Sequence, residues 1–138
     1  MGALDVYYLY EHGDTPVGVS TVDEVDDLVD RVCGESPPAA PILMDVHLSG
    51  DPYAQGLDIG IAVDHGVIRY SGRAWPRGVV SAGEGAVDGE PRSYFYMGHQ
   101  REFPPNSEVS IDVVRQAVKE FMESDGARPT CVHWQDAP

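Results

Sequence analysis

Lysine is almost missing from this chain. Of nine basic residues only Lys119 is a lysine, and the other eight are arginines. Against them stand 23 Asp and Glu, for a formal net charge of −14. So few cations exclude binding to nucleic acid or to an anionic membrane, since both require neutralisation of phosphate. Cysteine is scarce too, at two residues, Cys33 and Cys131. Neither neighbours a second Cys or a His at a metal-ligand spacing, so both are expected as buried free thiols. No apolar run approaches the roughly 20 residues of a membrane span. Residues 1–20 carry Asp5, Glu11 and Asp14 without a basic leader. No secretory signal is expected, and the cytoplasm is the expected location.

What is present is an ordinary globular composition, 42% hydrophobic and 23% charged over 138 residues. That length is one domain, 1–138, large enough for a core without staples. The acidic surface attracts basic partners and speeds their encounter, or it serves solubility alone.

Periodicity predicts the elements. Residues 3–10 and 15–19 read as strands around a turn at Glu11-His12-Gly13-Asp14. Thr21 with Glu24 makes a capping box, and Val22, Val25, Val29 and Val32 form one helical stripe, widened by Leu28. Gly34 and Pro37-Pro38 end that helix. Strands are expected at 41–48, 57–63 and 67–71, the last two joined by Asp64-His65-Gly66, with a short one at Val79-Val80. The Gly-rich, acidic stretch 81–91 reads as a mobile loop, and 93–97 as another strand. Ser110 caps a second helix whose stripe is Ile111, Val114, Val118, Phe121 and Met122, ended by Asp125-Gly126. A last strand is expected at 130–134. The fold class is therefore α+β, a mainly antiparallel sheet with two amphipathic helices packed against it.

Catalytic chemistry finds no foothold in the residue pattern. His12, His47, His65, His99 and His133 show no zinc-enzyme spacing. The Gly-x-Ser-x-Gly pentad is absent, and Gly83-Glu84-Gly85 has neither a Lys nor a following helix to cradle phosphate. No catalytic residue, metal ligand or cofactor is assigned.

The charge does form a pattern. Asp23, Asp26, Asp27 and Asp30 fall at i, i+3, i+4 and i+7 on the first helix, away from its valine stripe. Like charges at these spacings destabilise a helix by about 0.2–0.5 kcal/mol per pair. The row is either a solvated outer face or a docking surface for a basic protein. A second candidate surface is aromatic. Tyr94 and Tyr96 share one face of their strand, presented outward if Phe95 packs inward, and Trp75 lies in a loop between Arg73 and Arg77. Tyr and Trp are favoured interface anchors, or they cover core edges.

Tyr96-Met97-Gly98-His99 with Glu102-Phe103-Pro104, the helix 109–121 and the closing run from Arg128 to Gln135 carry a likeness. In these segments the chain resembles immunity-protein family one of bacterial polymorphic toxin systems. It is similar to actinobacterial members in its N-terminal half as well. The resemblance implies a non-enzymatic inhibitor that binds a cognate toxin, often of the nucleic-acid deaminase type, as a monomer or in a 1:1 heterodimer. A deaminase must hold a polyanion, so its cleft is basic and an acidic domain fits it. Asp23, Asp26, Asp27, Asp30, Trp75, Tyr94 and Tyr96 are the expected partner contacts. The alternative is a small ligand-binding domain or enzyme with a pocket holding His47, His99 or His133 beside a buried carboxylate.

Overall fold

The computed structural model describes residues 2–9, 12, 14–83 and 88–137, with residues 52–54 described by backbone alone. Strand β1 (Leu4–Tyr7) pairs with β2 (Val17–Val19), and helix α1 (Val22–Glu35) follows. Next come β3 (Ile42–Leu48), β4 (Asp51–Ile61), β5 (His65–Gly72) and β6 (Trp75–Ala82). The hairpin of β7 (Arg92–Tyr96) and β8 (His99–Phe103) precedes β9 (Val109–Ser110), helix α2 (Ile111–Glu123) and β10 (His133–Asp136). The main sheet runs β10-β6-β5-β4-β3-β1-β2 and is antiparallel at every step. The chain thus adopts the expected α+β fold.

Strand alternation decides which side the helices take. Leu4, Val6, Met44, Val46, Leu57, Ile59, Ile61, Ile68 and Tyr70 point to one face and are buried there. Val25, Leu28, Val29 and Val32 of α1 and Val114, Ala117, Val118, Phe121 and Met122 of α2 cover them. Both helices start as their sequences predict. Thr21 Oγ1 accepts from the Glu24 amide at 3.1 Å, and the Glu24 carboxylate accepts from the Ser20 amide at 3.2 Å. Ser110 Oγ accepts from the Val113 amide at 3.3 Å. Helix α1 runs past Gly34 to Glu35, with Ser36 as its cap.

Helix α2 ends in a Schellman motif. Asp125 takes the left-handed position (φ 54°), and the Gly126 amide bonds the Phe121 carbonyl at 2.9 Å. The Gly126 carbonyl then accepts from the buried Tyr70 hydroxyl at 2.8 Å, which ties the helix end to β5.

Several boundaries differ from the sequence reading. Strand β8 was not expected. The Met97-Gly98 turn that makes it has φ of 48° and 82°, a two-residue hairpin loop of the type whose twist matches the strands. Strand β6 begins at Trp75 rather than Val79, so Trp75 is a strand residue and not a loop anchor. Strand β10 starts at His133, because Thr130 and Cys131 are held instead by Glu120. Cys131 is exposed and Cys33 half-buried, against the expectation of two buried thiols. Even so, desolvation of the sulfur and the nearby Glu120 carboxylate push the Cys131 thiol up to about 12. Glu11 and Gly13 of the first turn, and residues 84–87 of the acidic loop, lie outside the described residues.

Two substitutions test this account. Phe121→Ala empties a fully buried site and should lower stability by about 3–5 kcal/mol. Tyr70→Phe leaves the Gly126 carbonyl without its donor and should lower stability by about 1–2 kcal/mol. Urea unfolding reads both.

Candidate functional site

The second face of the sheet is covered over only part of its extent. The β7–β8 hairpin folds across it and buries Tyr94 and Phe103 on Leu43, Val67 and Val80. Gly60 makes room for this: a Cβ there would meet the Tyr94 ring at 2.5 Å. The Tyr94 and Phe103 rings meet edge to face at 5.8 Å.

The hairpin is anchored at Glu108. Its carboxylate accepts from the Tyr94 hydroxyl at 2.8 Å and pairs with His65 Nε2 at 3.0 Å and Arg92 Nε at 3.3 Å. Burial and that carboxylate push the Tyr94 hydroxyl well above its ordinary value. His65 also meets Asp64 at 2.7 Å, so a residue expected simply to make a turn bridges two carboxylates. His65, Arg92, Tyr94 and Glu108 line a cleft of about 430 Å³ with Ser36, Pro38 and Pro41. His47, His99 and His133, which the enzyme reading would gather in one pocket, do not line it.

Beside the hairpin, the same face carries polar residues. Strand register lines up Tyr7, Asp45, Asp58, Arg69, Val80 and Gln135 across six strands. The neighbouring row is Asp5, His47, Gly56 and Ser71. Asp45 and Asp58 are thus a direct cross-strand pair of carboxylates, a placement that ordinarily destabilises a sheet.

The surroundings shape their protonation. Burial pushes Asp58 up to about 7, and the charge and hydrogen bond of Asp45 act in the same direction, outweighing the opposing pull of Arg69 and His47. A hydrogen bond between two carboxyl groups requires a proton between them. His47 Nε2 lies 2.9 Å from Asp45 Oδ1, and that bond raises the His47 pKa against the opposing effect of burial. The imidazole lies over Gly56, where a Cβ would meet it at 3.1 Å. Among the described residues no partner satisfies His47 Nδ1 or Arg69 Nε, both buried. Arg69 instead sends its Nη2 to the Arg77 carbonyl at 2.6 Å.

The residues singled out in the sequence are dispersed. Asp26 meets Lys119 at 3.0 Å and Arg115 at 3.2 Å, and Asp30 pairs with Arg115. Half of the aspartate row therefore joins α1 to α2. Asp23 and Asp27 are exposed, and among the described residues no cation pairs with them. Tyr94 is 1% exposed, so it and Tyr96 turn towards the sheet, the reverse of the outward presentation expected of them. Trp75 is half-buried against Tyr70 at 5.9 Å, with the Arg128 guanidinium 4.4 Å above its ring. Tyr96 alone of the seven lies by the acid pair, where burial and then the Asp45 and Asp58 charges raise its pKa. Sequence reasoning missed Asp45 and Asp58, and it named His47 only as one of three histidines that a ligand-binding or enzyme pocket would hold beside a buried carboxylate. The signal was there in the alternation of PILMDVHL and LDIGIAV, which places charged residues opposite a buried face.

The acid pair predicts how stability responds to pH. Folded Asp58 keeps its proton to about pH 7, whereas its ordinary value is 3.8, so between those values the unfolded chain binds fewer protons. The contribution of Asp58 to stability should fall as pH rises through that window. His47, raised by its partner, loses its contribution in the same direction at higher pH. Denaturant unfolding at pH about 4.5 and about 7.5 checks this. Asp58→Asn should gain on the parent at the higher pH, and an equal difference at both values would refute the assignment.

A fold of this kind carries no activity by itself, and the likeness to known proteins supplies the wider context. The family model for Immunity protein Imm1 matches residues 13–136. Comparison with curated proteins gave no match. The matched span takes in β2 through β10 with both helices, the hairpin and the Asp45–Asp58 pair, and the chain belongs to the Imm1 immunity protein family.

Proposed function

We propose that the chain neutralises a cognate toxin of the nucleic-acid deaminase type by binding it in a 1:1 complex, without catalysis. The observation that carries this reading is membership of an immunity-protein family by a chain of net charge −14. A toxin that acts on nucleic acid holds a polyanion in a basic cleft. An acidic domain competes for that cleft through the same field that attracts the substrate. The encounter takes place in the cytoplasm of the producing cell, where the toxin must be held before export.

Charge has two separable uses here. Exposed carboxylates such as Asp23 and Asp27 steer the partner from a distance and set the rate of association. Carboxylates that become desolvated in the complex hold the partner and set the rate of dissociation. Trp75 and Tyr96, both half-buried, supply apolar area at the rims of whichever face is used.

The test is co-purification with the toxin domain encoded beside this chain, followed by association kinetics. The complex should form at 1:1, and its on-rate should fall as salt rises from about 0.05 to about 0.5 M, with the off-rate changing less. Asp23→Asn/Asp27→Asn should flatten that salt dependence and leave the fold intact, since neither residue joins the helices. Absence of binding at low salt would overturn the reading, and a flat on-rate would overturn the steering.

A further inference from the structure

The band of sheet beside the hairpin differs from an ordinary solvated face. Solvated strands carry long, flexible polar side chains that can separate like charges. Here two short carboxylates sit directly opposite each other on central strands, β3 and β4, where neither backbone can move aside. Asp5, opposite His47 on β1, adds a third. The cations nearest them are turned to other tasks, His47 to Asp45 through one nitrogen only and Arg69 to the Arg77 carbonyl. His47 Nδ1 is left buried and unsatisfied among the described residues, on a side chain only 17% exposed. A buried polar atom without a partner is rare enough to need a reason. The β7–β8 hairpin closes one side of this band, with Arg101 and Glu102 of β8 beside Asp58 and Tyr96 of β7 near the pair. On the other side the Asp45 side chain stays 30% exposed, and Tyr7 and Tyr96, both half-buried, border the opening.

We propose that this partly open band, built from Asp5, Tyr7, Asp45, His47, Asp58 and Tyr96, is the surface on which the toxin docks, with an arginine or lysine of the toxin seated against Asp45 at its open side and against Asp58 behind it. The inference rests on the immunity reading above and adds the place and chemistry of the contact. Charge complementarity selects the occupant. A second copy of this chain brings −14 of its own, and nucleic acid is repelled. A basic protein side chain adds a cation on the open side of the pair, where Asp45 is 30% exposed, and a guanidinium donates two parallel hydrogen bonds to a carboxylate. Bordering tyrosines exclude water around such an anchor at little cost in entropy. The aspartate row of α1 lies on the opposite side of the sheet, because α1 packs on the other face. One compact partner therefore steers by one surface and docks on another.

Seating a cation displaces the proton held between Asp45 and Asp58. The charged and titratable groups facing Asp58 are Asp45 and His47 on β3, Arg69 on β5, Asp5 and Tyr7 on β1, Tyr96 on β7, and Arg101 and Glu102 on β8. Of these, His47 is raised by its bond to Asp45 and acts in the same sense, since its neutral form also leaves the carboxylates free for the newcomer. Toxin binding should therefore release protons and strengthen as pH rises from about 6 to about 8.

The experiment uses the full chain and the toxin domain encoded beside it, purified as an inactive variant, with calorimetry and binding kinetics. Asp45→Asn/Asp58→Asn should weaken binding by about tenfold or more, chiefly through faster dissociation, and Asp23→Asn/Asp27→Asn by less than about threefold. The parent should release about one proton at pH 6.5, read as a difference in binding heat between two buffers of unlike ionisation enthalpy, and Asp58→Asn should release less. The proton readout on the parent needs no variant, so it decides the matter if the double variant fails to fold. Retention of full affinity by a folded double variant, or zero proton release by the parent, would overturn the docking site and leave the immunity reading standing. A parent that forms a homodimer lost in the double variant would assign the face to a second copy instead, and overturn the proposal. Failure of the parent to bind the toxin at all would remove both readings together.

Discussion

The pairing of β3 with β4 sets Met44 opposite Ile59 and Asp45 opposite Asp58. Because side chains alternate with a period of two, that one register assigns residues to both faces of the sheet at once. Met44, Val46, Leu57, Ile59 and Ile61 meet the helices, and burial of this set drives the fold. The odd members, Leu43, Asp45 and His47 with Asp58 and Gly60, are then committed to the other side. A slip of one residue would bury the carboxylates beneath α1 and α2. The hydrophobic core thus holds the acid pair in place, at a position the pair would not choose by itself.

The second face is divided by the hairpin. Gly60 gives Tyr94 its seat, and Glu108 gathers Tyr94, His65 and Arg92 around one carboxylate. The hairpin is thereby joined both to the sheet and to the segment leading into α2. What it leaves partly open is the band of Asp5, Asp45 and His47 with Asp58 at the hairpin's edge, so an element of cover also defines the edge of the candidate docking surface.

Net charge alone misleads about which acids are available. Asp26 and Asp30 look like part of a free row in sequence, yet Arg115 and Lys119 take them up between the helices. Glu24, Glu108 and Glu120 likewise serve caps and anchors. Partly exposed pairs of this kind add little stability each, but they remove carboxylates from the pool that a partner can reach. The acids left exposed are fewer than the composition suggests, and burial with the neighbouring Asp45 raises Asp58 to about 7.

Local chemistry was legible in the residues themselves. The caps at Thr21 and Ser110, both helical stripes, the β4–β5 hairpin and the α+β class follow from spacing and propensity, because these depend on neighbours a few residues away. The likeness to an immunity-protein family was readable too, in the run from Tyr96 through Gln135. The hairpin partner β8 escaped because His99–Phe103 is mostly polar and exposed, so it lacks the apolar alternation that marks a strand. The inward turn of Tyr94 and Tyr96, the binding of Asp26 to Lys119 across 93 residues and the meeting of Asp45 with Asp58 all depend on which segments become neighbours in space. No local pattern encodes that choice, since it is made by the register of paired strands and the packing of the helices upon them.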